Sequence, residues 1–183
     1  MNAVILTRKG ISYPQRPSKI LFLTYNNSSE DNAFLYSINK YSNITADCVF
    51  EFHCKPMRAL RRIMINHNMP GLSVWFGDWY RNLALFRLCI VVGSSYTPNI
   101  LEYLKRHFPD VRFISYLWDK EFFSHYPIIS SKSYENWTFN RADADEYHLK
   151  YNPQFYTDNL ILEKYKKEYD ICIASRNPDR TLI

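Results

Sequence analysis

The stretch 88-LCIVVGSSYTPNILEYLKRHFPDVRFISYLW-118 decides the fold. Leu88 to Ser94 is an apolar, β-branched run of strand length. Ser95 or Thr97 then precedes Pro98 and a helix-forming segment, 98-PNILEYLKRHF-108, which Pro109 closes. A second apolar strand, 111-VRFISYLW-118, follows directly. Strand, helix and strand joined by short connections form a right-handed parallel crossover.

The same alternation extends to both sides. After Pro14 and Pro17, 19-KILFLTY-25 is a continuous apolar strand, and a strand without polar alternation is buried on both faces, as in a parallel sheet. The polar cluster 26-NNSSEDN-32 supplies Ser28 or Ser29 as a cap for a helix over 32-NAFLYSINKY-41. The run 48-CVFEF-52 reads as a strand, and 56-PMRALRRIMINHN-68 as a helix with Pro56 in its first position. The segment 79-WYRNLALFRL-88 is ambiguous and suits a helix leading into the next strand. Toward the C-terminus, 135-ENWTFN-140 reads as a short strand and 141-RADADEYHL-149 as a short helix.

The expectation is an α/β fold: a Rossmann-like domain with a mostly parallel sheet over residues 18–158, preceded by an extension, 1–17. Residues 159–183 then form a linker containing Lys164, Lys166 and Lys167, and a further buried strand, 169-YDICIAS-175. A buried strand without a covering helix leaves apolar surface bare, so this last segment reads as the truncated start of a second Rossmann-like domain.

Composition narrows the function. Hydrophobic residues make up 46% of the 183, which predicts a globular chain rather than a disordered one. With only 4 glycines and no G-x-G-x-x-G or Walker-type lysine loop, a glycine-rich phosphate cradle is excluded. The net charge of +5 is spread along the chain; it suits phosphate-bearing sugars or an anionic membrane surface and falls short of a nucleic-acid footprint. Cys48, Cys54, Cys89 and Cys172 form no C-x-x-C pair, which predicts a reducing, cytoplasmic setting with neither disulfides nor zinc. No signal peptide and no apolar stretch near the ~20 residues of a membrane span is present, so the chain is expected to be soluble or at most peripheral.

Several residues carry chemistry on one reading and structure on another. Asp143 and Asp145 have the spacing of a metal-binding Asp-x-Asp pair, but acidic residues in a first helical turn are also favoured by the helix dipole, and that reading needs no metal. Asp119, after Trp118 at a strand end, suits a general base or a hydrogen bond to a sugar hydroxyl, or else a loop cap. His53 follows a predicted strand and is a second candidate base, or a structural histidine. In 75-WFGDWYRN-82, Trp75 and Trp79 with Asp78 and Arg81 suit sugar stacking and binding, or plain core packing for the tryptophans. Arg58, Arg61 and Arg62 share one helical face, either solvated or docked on anionic head groups or a phosphorylated acceptor.

At 111-VRFISYLWDKEFF-123, 137-WTFNRADADEYHLKYNPQFY-156 and 169-YDICIASRNPDR-180 the chain resembles bacterial glycosyltransferases of the two-Rossmann-domain (GT-B) type, associated with lipopolysaccharide, capsule or exopolysaccharide synthesis. The resemblance lies in a strand ending Trp-Asp, a later Phe-Asp-x-x-Asp-Ala-like stretch, a Pro-x-Phe-Tyr segment and an Asp-Arg turn, and runs from about Lys19. Here Phe139-Asn140 stands where the family pattern has Phe-Asp. The resemblance implies an acceptor-side N-terminal half: sugar transfer from a nucleotide-sugar to a glycan or lipid-linked acceptor, with His53 and Asp119 as candidate bases and Trp75, Asp78, Trp79, Arg81 and Trp118 around the substrate. It implies no resident cofactor and no Asp-x-Asp metal, contact with the inner membrane at its cytoplasmic side, and a donor-binding domain encoded separately. The alternative is a non-catalytic Rossmann-like binding or assembly module, or an inactive remnant.

Overall fold

The computed structural model describes residues 19–25, 35–36, 38–40, 42–51, 55–118 and 131–153. Their six strands are β1 (Ile20–Thr24), β2 (Ile44–Cys48), β3 (Leu88–Val92), β4 (Arg112–Leu117), β5 (Glu135–Thr138) and β6 (Lys150–Tyr151). They form one sheet in the order β2-β1-β3-β4-β5-β6, and every pairing is parallel. The α/β, Rossmann-like expectation therefore holds, with the sheet wholly rather than mostly parallel. The anticipated second domain from Tyr169 lies outside the described residues.

The helices are α1 (Lys55–Asn66), α2 (Thr97–His107) and α3 (Arg141–Tyr147), with 3-10 segments at Leu72–Trp75 and Asp78–Leu85. Alternation along the strands divides the side chains between two faces. Leu21, Leu23, Cys89, Val91 and Phe113 point to one face and pack against Ile65 of α1, both 3-10 segments and Ile100, Leu101 and Leu104 of α2. Phe22 and Ala46 point to the other, against Leu35 and Ile38 of the helical residues that precede β2. Both faces are apolar because a parallel strand is covered from both sides.

Polar side chains close the exposed ends of this scaffold. The amide of Asn39 bonds β2 twice at Ala46, donating to its carbonyl at 2.7 Å and accepting from its N–H at 2.8 Å. β2 is an edge strand, and this bidentate contact satisfies backbone groups that its edge would otherwise leave open. Helix α1 ends with Asn68 in the left-handed region (φ 47°). Asn68 N–H donates to Ile65 O and Met69 N–H to Met64 O, the two bonds of a Schellman ending. On α2, Glu102 accepts hydrogen bonds from the hydroxyls of Ser131 and Ser133, fastening the approach to β5 onto the helix.

Three elements differ from the sequence expectation. The second strand is Ile44–Cys48, not residues 48–52. Val49 and Phe50 are buried all the same, because the chain past β2 turns into the core and Phe50 bridges Phe76. Burial of a loop produced the apolar run that resembled a strand. The ambiguous segment near 79–88 is a 3-10 helix, Asp78–Leu85. The pair Lys150–Tyr151 forms β6, too short for any periodicity to announce it.

Two measurements test this architecture. Leu101 is fully buried between α2 and the sheet, so Leu101→Ala should lower unfolding stability by about 2–5 kcal/mol in urea titration. On the sheet surface Glu135 accepts from Arg112 Nε at 2.6 Å and Nη2 at 3.0 Å, from Lys150 Nζ at 2.7 Å and from Trp137 Nε1 at 3.0 Å. The Arg112 hydrogen bond, helped by Lys150 and Trp137, lowers the Glu135 carboxyl from 4.5 to about 2. A depressed carboxylate contributes stability above its unfolded value, and the contribution is lost as pH falls from about 4.5 through 2. Glu135→Gln should therefore flatten the acid limb of the stability profile in that window. At neutral pH it should cost no more than about 1 kcal/mol, because the partners are solvent-screened.

Candidate functional site

In an open α/β sheet, ligands bind at the carboxyl ends of the strands, where the strand order reverses. Here the chain passes from β1 out to β2 and returns to β3 on the other side of β1, so the reversal lies between β1 and β3. The residues leaving those ends are Tyr25 after β1, Phe50 beyond β2, and Ser94 to Thr97 between β3 and α2. Arg61 and Arg62 reach the same place from α1.

The Thr97 hydroxyl organises this edge. It accepts from the Ser94 N–H at 2.8 Å and lies 3.1 Å from the Val92 carbonyl and 3.0 Å from the Tyr25 hydroxyl. A threonine hydroxyl has one proton. That proton is shared between two acceptors, the Val92 carbonyl and the Tyr25 phenol oxygen. Ser94 Oγ in turn accepts from Tyr96 N–H at 3.2 Å, which folds the β3–α2 connection into a tight turn. Burial raises the Tyr25 phenol well above its ordinary value, so it stays protonated.

Aromatic rings and guanidinium groups complete the edge. Tyr25 packs 5.6 Å from Phe50 and 6.3 Å from Tyr96, centroid to centroid. The Arg61 guanidinium stacks 3.8 Å above Phe50, and Arg62 Nε donates to the Tyr96 hydroxyl at 3.0 Å. Partial burial lowers the Arg61 pKa, without approaching the neutral form. A stacked guanidinium keeps its N–H groups in its own plane, the geometry in which arginine grips phosphate. Arg61 and the Tyr96 phenol thus offer a cation and a hydroxyl to an anionic, hydroxyl-bearing ligand, with the buried Tyr25 beneath them.

The sequence candidates meet this geometry unevenly. His53 and Asp119 lie outside the described residues. Trp75 and Trp79 are corrected: they are 4% and 3% exposed and belong to the core. Trp79 Nε1 donates to the Cys48 carbonyl at 3.0 Å and Trp75 Nε1 faces Met64 Sδ, so neither ring offers a face to a sugar. Asp78 opens the longer 3-10 segment and is half-buried, and Arg81 is exposed along it. Trp118 is half-buried past the end of β4, near Phe22 and Tyr116, on the opposite face of the sheet from the Tyr25 cluster. Of the three arginines, Arg61 and Arg62 reach the reversal, while Arg58 is exposed.

Tyr25, Phe50, Ser94, Tyr96 and Thr97 were not singled out as site residues from the sequence. Their signal was positional: each follows the end of a strand or begins the next helix, the places that become a ligand edge once the strand order is known.

The Asp-x-Asp pair is a helix start. Asp143 lies in the first turn of α3 and is buried, whereas Asp145 is exposed, so the two carboxylates do not converge. Asn140 caps α3, its side chain accepting from the Ala142 N–H at 3.0 Å. Among the described residues no group of three or more His, Cys, Asp or Glu is arranged to hold a metal ion, and no helix is long and apolar enough to cross a membrane. Comparisons with family models, with curated proteins and with solved structures find no match to this chain.

Thr97→Val keeps the shape of the hub but removes its hydrogen bonds, leaving the Ser94 N–H and the Tyr25 phenol without their shared partner. It should cost about 1–3 kcal/mol in chemical denaturation, with Thr97→Ser close to the parent.

Proposed function

We propose that the chain is a glycosyltransferase-type domain that takes a phosphate-bearing sugar or lipid-linked acceptor at the carboxyl edge between β1 and β3. The observation that supports this reading best is the half-buried Arg61 guanidinium over the Phe50 ring, with the rings of Tyr25 and Tyr96 packed alongside. A cation of that geometry suits a phosphate or diphosphate, and the Tyr96 phenol suits a sugar hydroxyl. The reaction is transfer of a glycosyl group from a nucleotide-sugar to a hydroxyl of a surface-polysaccharide or lipopolysaccharide precursor. The acceptor oxygen forms a bond to the anomeric carbon as the bond from that carbon to the nucleotide phosphate oxygen breaks. A side chain takes the acceptor proton, and the nucleotide leaves with the bonding electrons. His53 and Asp119 are the candidates for the proton, since in sequence they closely follow β2 and β4.

Titration calorimetry of the full chain with sugar phosphates tests the reading. Binding is expected, and Arg61→Ala should weaken it about tenfold or more, as for loss of a charge-assisted hydrogen bond. Transfer is then assayed with a nucleotide-sugar and a lipid-linked acceptor, with and without an added donor-binding domain. Binding that no condition converts into turnover would favour the non-catalytic binding module. Indifference of binding to Arg61→Ala would overturn the assignment of the edge.

A further inference from the structure

Helices α1 and α2 pack on the same face of the sheet, yet their outward sides differ. α2 turns Arg106 and His107 to solvent, and none of its large apolar side chains is exposed. α1 exposes Met57 (40%), Leu60 (47%) and Ile63 (52%), and the turn after it adds Met69 (42%) and Val74 (61%). Met57, Leu60 and Ile63 recur every three residues and so form a stripe along the helix. The following turn is tied to α1 by the Met69 N–H to Met64 O bond at 2.9 Å and by Trp75 Nε1 on Met64 Sδ at 3.2 Å. The turn is therefore held against the C-terminal end of α1, next to the stripe.

The charges of α1 itself have one sign. Arg58 and Arg62 are exposed next to the stripe, and 55-KPMRALRRIMIN-66 contains no Asp or Glu. We propose that this face, α1 with the Met69–Val74 turn, docks on an anionic lipid bilayer. The apolar side chains enter the boundary between head groups and acyl chains, while the guanidiniums reach lipid phosphates on their aliphatic stems. At twelve residues α1 lies in the interface rather than crossing it. A basic helix with no acidic residue beside an apolar stripe matches an anionic lipid surface in both charge and polarity. Since Arg61 extends from the same helix to the β1/β3 edge, docking holds that edge close to the bilayer. The inference is independent of the sugar-transfer reading, because vesicle binding requires neither donor nor acceptor.

Flotation of the full chain with phosphatidylcholine vesicles, and with vesicles that also contain phosphatidylglycerol, tests the proposal. The chain should float with the anionic vesicles, and less so as salt rises. Arg58→Gln/Arg62→Gln should weaken that binding about tenfold or more, and Leu60→Asp/Ile63→Asp should abolish it. All four positions are exposed, so the variants should match the parent in circular dichroism and melting; if the Asp pair does not, Leu60→Ser/Ile63→Ser replaces it. Failure to float with either vesicle, or flotation unchanged by the apolar substitutions, would refute the docking face. So would a dimer in sedimentation velocity that Leu60→Asp/Ile63→Asp disperses while vesicles are ignored, since the stripe would then join two copies of the chain.

Discussion

The structure depends on a single constraint: β1 is hydrogen-bonded on both sides and covered on both faces. Its five residues pair with β2 along one edge and four of them with β3 along the other, both in parallel. A parallel neighbour cannot be reached by a tight turn, so each pairing demands a crossover long enough to cross a face of the sheet. The chain therefore leaves β1 toward β2 and must return across β1 to build β3. That return spans α1 and both 3-10 segments, and it fills the face on which Leu21, Leu23, Cys89 and Val91 lie. The strand reversal and the main core are two consequences of the same connection.

The reversal determines which side chains can work together. Because β1 and β3 run in the same direction, their ends deliver Tyr25 and Ser94 to one edge, and α2 begins there with Thr97. The Thr97 hydroxyl joins β1, β3 and the helix start through a set of bonds no longer than 3.1 Å. Arg61 and Arg62 come from a helix separated in sequence from all three, and meet them only because α1 packs beside α2. Asn99 of α2 bonds the Ile65 carbonyl of α1 at 3.2 Å and supports that packing. An arginine held on an aromatic ring has lost conformational freedom before any ligand arrives, so less remains to be lost on binding.

The parts of the fold legible in the sequence were those with strong local signals. β3, α2 and β4 combine apolar runs with Pro98 and Pro109, and the structure follows that reading within a residue or two. The 49–50 region misled because an apolar run records burial and not hydrogen bonding: Val49 and Phe50 are as buried as any strand residue, but in a loop. The tryptophans of 75-WFGDWYRN-82 show the converse. Their proximity to Asp78 and Arg81 resembled a sugar site, yet both rings turn inward because the 3-10 segments supply the core beneath them. Asp143 and Asp145 shared a motif spacing but not a direction, since residues two apart in a helix point to different sides.

The sequence by itself determined the class of the fold, its central strand–helix–strand unit and the acidic helix start at Asp143, because each rests on interactions between residues near in the chain. Which strands lie side by side was decided only by tertiary structure, and with it the edge where Tyr25, Phe50, Arg61, Tyr96 and Thr97 meet. The outward direction of Leu60 and Ile63 was decided there too. Helical periodicity states that residues share a side, while packing against the sheet settles which side faces water. That division follows from range: propensity and capping act within a turn or two, whereas strand order and burial depend on contacts between residues tens of positions apart.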